Sequence, residues 1–257
     1  MKKLLVFLFM IFTCANINIL RAETINMQWL NEDGTVYDTT SCTAGGDVIL
    51  PTAPTKRGYT FMGWVSFTPI EYLESTGTQY INTGVVFSGP NARVILRFEP
   101  TNVNHYGRHT YAGAQPGWTF IANNVTPGKL GVYHGSLNAT QWSQADISVN
   151  TIYTLDMVQE GNTFSYKINN IENSAYTTIS YTSSPYILFG TSIGSAYAEF
   201  SQMRLYYAKI YDNGVLIRDF IPGLDQNGVP CMYDNVSRQY FYNSGTGDFI
   251  AGPVAHE

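Results

Sequence analysis

Short runs of alternating apolar and polar residues recur after residue 22, each closed by Gly, Asn, Pro, Asp or Ser, and no segment there sustains a helical period. A period of two sends successive side chains to opposite faces of an extended chain, so such runs read as strands. Arg93-Val94-Ile95-Leu96-Arg97-Phe98, Lys129-Leu130-Gly131-Val132-Tyr133-His134 and Tyr186-Ile187-Leu188-Phe189 are examples. The longer runs Ile152 to Gln159 and Thr163 to Ile168 flank Glu160-Gly161-Asn162. Gly and Asn accept the positive φ that a tight reversal needs, so this is a hairpin. A second hairpin reads from Gln202 to Tyr211 through Asp212-Asn213-Gly214 into Val215 to Phe220. Many short strands at this spacing predict an all-β sandwich or barrel.

Composition agrees. Aromatics reach 14% with 19 tyrosines, while charged residues make up 13%, about half the usual share. Tyr, Thr, Val, Ile and Phe suit a pleated, half-buried surface. The formal net charge is −5, and the only basic run is Lys2-Lys3. Nucleic-acid binding needs a clustered positive face to neutralise phosphates, so that class is excluded. A surface rich in Tyr, Asn, Thr and Gly suits a neutral, hydroxyl-rich partner instead.

Lys2 and Lys3 precede an apolar run from Leu4 to Phe12 with small residues after it, the layout of an export leader over residues 1–22. Cleavage after Ala15 or after Ala22 fits this layout. Asn16 and Asn18 interrupt the run before the ~20 apolar residues of a membrane span. Export to the periplasm, the cell surface or the medium is therefore expected, with no membrane span in the mature chain. Either cleavage removes Cys14 and leaves Cys42 and Cys231, which form one disulfide or sit as two separately buried thiols. No Cys-x-x-Cys or Cys/His cluster is present, so no metal or other cofactor is expected.

A first unit covers residues 23–66. Its segment Pro51-Thr52-Ala53-Pro54-Thr55-Lys56-Arg57-Gly58-Tyr59-Thr60-Phe61-Met62-Gly63-Trp64 resembles the signature of internalin-type B-repeats. Asn31-Glu32-Asp33-Gly34-Thr35-Val36 and Cys42-Thr43-Ala44-Gly45-Gly46-Asp47 fit the same pattern. The resemblance implies a small β-grasp-like exported module, a spacer or adhesive element of bacterial surface proteins, without catalysis.

A second unit covers residues 70–221. It opens with Ile70-Glu71-Tyr72-Leu73-Glu74-Ser75-Thr76-Gly77-Thr78-Gln79-Tyr80-Ile81-Asn82-Thr83-Gly84 and closes with Arg218-Asp219-Phe220. It resembles the concanavalin A-like or laminin-G-like jelly rolls of bacterial surface and phage tail proteins, which implies a lectin-like sandwich. Residues 222–257 form an extension. Its turns at Asn227-Gly228 and Asn243-Ser244-Gly245-Thr246-Gly247 suggest a hairpin over a sheet edge.

Glycoside hydrolysis by a jelly roll needs two carboxylates facing one cleft. The Glu-x-Asp-x-Glu triplet of the related glucanases is missing, and Glu71 and Glu74 fall on opposite faces of an extended strand. No Gly-x-Ser-x-Gly elbow accompanies His105, His109, His134 or His256. His105 and His109 bracket a polar loop, where a solvated or glycan-facing place is expected. Asp212-Asn213-Gly214 lacks the alternating carboxylates of a calcium cage and reads as a turn. The sequons at Asn124, Asn138 and Asn235 matter only in a glycosylating host.

Sugars present C–H faces that stack on aromatic rings and hydroxyls that seek planar amide or guanidinium partners. His105 to Trp142 concentrates both kinds of group, and the expected ligand-binding residues are Trp142, Trp118, Tyr133, His134, Arg108 and Asn123. Trp142, between Gln141 and Ser143, is the expected exposed platform. The reading is an exported, non-catalytic binding or adhesion protein for a glycan or a surface protein. A structural spacer is the alternative and a glycoside hydrolase the third.

Overall fold

The computed structural model describes residues 2–10, 24–30, 36–44, 46–55, 57, 59–103, 109–115, 118–122, 128–134, 145–177 and 184–255. Among them strands are the only extended regular elements, and no helix is long and apolar enough to cross a membrane. The protein is all-β, as its alternating runs require. Two compact units divide it. One holds residues 1–70, 224–229 and 254–257, the other residues 71–223 and 230–253.

The first unit is a four-stranded sheet in the order Val36–Thr43, Thr24–Leu30, Lys2–Met10, Tyr59–Ser66. Residues read as an export leader form its third strand, antiparallel to Thr24–Leu30 and parallel to Tyr59–Ser66. In Thr24–Leu30 the alternation is strict: Met27 and Trp29 are buried, whereas Thr24, Asn26 and Gln28 are exposed. Ile25 and Cys42 pack on that pair, and the Trp29 indole N–H donates to Thr40 Oγ1 at 2.8 Å. A buried indole keeps its apolar area only if its single donor finds a partner. Cys42 is half-buried, while Cys231 is fully buried in the other unit and donates to the Gly223 carbonyl at 3.5 Å.

The second unit is a sandwich. Sheet I has eight strands on the path Ala145–Asp146, Lys129–His134, Trp118–Ala122, His109–Gln115, Tyr186–Leu188, Ile81–Val85, with Thr191–Ile193 and Ala196–Ala198 beside it. Sheet II runs Ile171–Thr177, Thr163–Ile168, Tyr153–Glu160, Ala92–Pro100, Gln202–Asp212, Val215–Leu224, Pro230–Asp234, Gln239–Phe241. Both expected hairpins are present, with Gly161 at φ 57°, Asn213 at 49° and Gly214 at 77°. Val94, Leu96 and Phe98 point inward from sheet II and are fully buried. Phe98 meets Tyr111 of sheet I at 4.7 Å between ring centroids, which shows the two sheets facing one another. Each such aromatic side chain contributes about 2–3 kcal/mol by leaving water.

The tail closes an edge of this unit. Ile250–Ala251 pairs with Leu73–Thr76, and the backbone of Ser244 and Thr246 donates to the carbonyls of Tyr80 and Thr78. Gln79, 2% exposed, donates to the Asp248 carbonyl. Gly245 is pressed so close to the Thr78 carbonyl that a Cβ there would lie 2.1 Å from its oxygen.

Among the described residues the buried hydroxyls of Tyr111 and Tyr186 have no hydrogen-bond partner. A buried hydroxyl without a partner costs stability rather than adding it. Tyr186→Phe should therefore leave stability unchanged or raise it by up to about 1 kcal/mol. Urea unfolding at constant m-value checks this, and a clear loss of stability would show that the hydroxyl has a partner after all.

Candidate functional site

A pocket of about 230 Å³ opens at one end of sheet II. Its walls come from segments far apart in sequence: Asn91 and Arg93, Gln159 and Glu160, Tyr211 and Gly214. Strand pairing assembles them. The register sets Val158, Arg93 and Tyr211 side by side on three neighbouring strands, and Gln159, Ala92 and Asp212 beside them. Both hairpin turns are tied to the same residue. Asn91 Oδ1 accepts from the Gly161 N–H at 3.0 Å, and its carbonyl accepts from the Asn213 N–H at 2.6 Å.

Arg93 is locked in place. It donates through Nε at 2.8 Å and Nη2 at 2.6 Å to the two oxygens of Asp156, and its Cζ lies 5.7 Å from the Tyr211 ring centroid. A two-point guanidinium–carboxylate bond fixes orientation as well as distance. The hydrogen bond it donates to Asp156 holds Arg93 above the usual arginine range, with partial burial opposing. Gln159 is 1% exposed. It donates through Nε2 to the Gly161 carbonyl at 3.2 Å, so its amide orientation is set, and its Oε1 has no partner. The pocket thus offers an aromatic ring, an exposed carboxylate at Glu160 and an oriented guanidinium, while the buried Gln159 amide belongs to the inward register with Ala92. That combination stacks on and hydrogen-bonds to a polyhydroxylated ring.

None of the described residues among those expected to bind ligand lines this pocket. Trp142, Arg108 and Asn123 lie outside the described residues, as does His105. The backbone register sets Trp118 directly opposite His134, and Thr119 opposite Tyr133. Trp118 and His134 therefore hold positions on one face of that ribbon and Tyr133 a position on the other. His109 begins the His109–Gln115 strand, and its Nδ1 is 2.8 Å from the Phe200 carbonyl. Glu71 is exposed and Glu74 is held by Arg204, an arrangement with no shared cleft. Among the described residues no three His, Cys, Asp or Glu side chains converge as a metal site.

Sequence reasoning recognised the two turns but missed the pocket. The one available signal was that both hairpins place Glu160 and Gly214 at strand ends. That Ala92–Pro100 lies between them is a fact of strand order alone.

Fold and site together define a two-sheet β-sandwich protein with a shallow polar–aromatic pocket. Residues 30–87 match the Listeria-Bacteroides repeat domain. The match contains the Tyr59–Ser66 strand and continues past Ile70 through Ile81–Val85. No curated protein sequence matches the chain. Among solved structures, a candidate carbohydrate binding protein from Bacteroides ovatus aligns over 91% of this chain and 70% of its own, with TM-score 0.51 and 11% identity. The SAP-like pentraxin of Limulus polyphemus aligns over 73% and 94%, with TM-score 0.42 and 11% identity. The alginate lyase of a Corynebacterium species aligns over 52% and 61%, with TM-score 0.35 and 12% identity. The Bacteroides ovatus likeness is one of fold, a jelly-roll-type sandwich.

Proposed function

We propose that the protein is an exported, non-catalytic binding protein that recognises carbohydrate through its sandwich. The observation that carries this reading is the pocket, where the Tyr211 ring and the oriented Arg93 guanidinium share the outward face beside the exposed Glu160. Ligand hydroxyls meet the guanidinium and the Glu160 carboxylate, and a pyranose face covers the ring. Of the acidic groups here, Asp156 is spent on Arg93 and Glu160 alone lines the pocket, so a hydrolytic carboxylate pair has no second member among its walls. Export rests on the basic and apolar leader pattern of residues 2–12. The Listeria-Bacteroides repeat and the fold of a candidate carbohydrate binding protein are consistent with a surface-exposed role.

A glycan array followed by calorimetry tests it. Tyr211→Ala should weaken a bound glycan at least about tenfold, the effect of losing one stacking platform. Its unfolding midpoint should move little, because the ring is half-exposed. A Trp142→Ala variant is run beside it. Loss in that variant with Tyr211→Ala unchanged would move the site to the loops between residues 104 and 144. No binding across a broad array would remove the carbohydrate reading and leave protein contacts.

A further inference from the structure

The pocket is one end of a longer surface. On the outward face of sheet II, residues line up in rungs across the strands. Beyond Val158–Arg93–Tyr211 comes Asp156–Ile95–Lys209–Asp219, then Thr154–Arg97–Tyr207, then Glu99–Arg204–Glu74. A bulge between Leu205 and Tyr207 leaves Tyr206 as the extra residue, so two consecutive tyrosines are half-exposed here. Tyr206 and Tyr72 meet edge to face at 5.7 Å, and Arg204 lies 4.8 Å from the Tyr72 centroid. From Arg93 to Glu99 the strand rises ~20 Å, a length no single sugar spans.

The charges along this row are matched at its ends and not in its middle. Arg93 is paired with Asp156, Lys209 with Asp219, and Arg204 with both Glu74 and Glu99. Arg97 is exposed and makes no ion pair among the described residues; its one close neighbour of note is the Tyr206 ring, 6.0 Å away. An arginine left unmatched between two neutralised rungs, flanked by tyrosines and set ~13 Å along the strand from the pocket, complements a carboxylate on a bound chain.

We infer that the outward face of sheet II binds an extended, carboxylate-bearing polysaccharide, with one sugar in the pocket against Tyr211 and an acidic sugar over Arg97. This rests on the carbohydrate-binding reading and adds to it a chain length, a direction along the strands and a charge. Arg97 is the specificity-determining residue, and the tyrosines supply faces for the intervening rings.

Calorimetry on the full chain tests it with galacturonan and cellulose oligosaccharides of two and six residues. The acidic hexasaccharide should bind at least tenfold tighter than the acidic disaccharide and than the neutral hexasaccharide. Arg97→Gln should remove about a tenfold preference for the acidic over the neutral chain. Because Arg97 is exposed and makes no ion pair, the variant should unfold at the wild-type temperature. Its preference should also be the part of binding that added salt screens. Equal binding of acidic and neutral chains, or an Arg97→Gln variant with its preference intact, overturns the inference while Tyr211→Ala still reports on the pocket. Failure of every oligosaccharide to bind the wild-type chain overturns both.

Discussion

Replacing Arg204 with alanine should cost the sandwich about 2–4 kcal/mol, less than a fully buried ion pair because the guanidinium is partly solvated. Arg204 stands between two carboxylates. Its Nε donates to Glu74 at 2.6 Å and its Nη1 to Glu99 at 2.9 Å, while the Tyr206 hydroxyl donates to the other Glu99 oxygen. Glu99 is 6% exposed, so little water can replace the lost partner. The alanine variant leaves two like charges on neighbouring strands with only a phenol between them. Losing one partner of a desolvated pair is costlier than losing both. Arg204→Ala combined with Glu99→Gln should therefore recover part of the loss. Urea unfolding of the single and double variants measures this. A defect below 1 kcal/mol, or a double variant no more stable than Arg204→Ala, would show that the network adds little to the fold.

The strands were legible because local alternation and tertiary burial agree in them. In Ala92–Pro100 the apolar positions Val94, Leu96 and Phe98 are the buried ones, and Arg93 and Arg97 are the exposed ones. The turns were legible because Gly161, Asn213 and Gly214 adopt the positive φ their chemistry permits. The Asn169-Asn170 reversal, with φ of 50° and 66°, carries the same signal at a place the alternation alone did not mark. Strand order was not legible. Nothing local says that Ala92–Pro100 pairs with both Tyr153–Glu160 and Gln202–Asp212, and the pocket exists only through that pairing. Aromatic content could not separate platform from packing either. Tyr111, in the stretch richest in sugar-binding residue types, is 1% exposed and fills the core against Phe98, while Tyr211 reaches the pocket.

The core phenols make the protein sensitive to alkali, the second large effect. Burial raises the hydroxyls of Tyr111 and Tyr186 well above the ordinary tyrosine range, for Tyr111 with a smaller contribution from Tyr153. Tyr206 is raised by burial and by its hydrogen bond to Glu99, and Tyr233 by burial first. Below about pH 10 neither the folded nor the unfolded chain ionises these groups, so stability there is independent of them. Above it, the unfolded chain releases protons that the native chain retains. Stability must then fall by about 1.4 kcal/mol per pH unit for each fully buried phenol, until the native groups ionise as well. Tyr111 and Tyr186 alone remove ~3 kcal/mol per unit, against a total stability of about 5–15 kcal/mol for a domain. Cooperative unfolding is expected by about pH 12, with a burst of tyrosinate absorbance coincident with loss of near-ultraviolet circular dichroism. The Tyr111→Phe, Tyr186→Phe double variant should carry that transition to higher pH, since it deletes the two groups that favour the unfolded state in alkali. If instead all 19 tyrosines ionise in a single reversible step with the tertiary signal intact, these phenols are not sealed in the core.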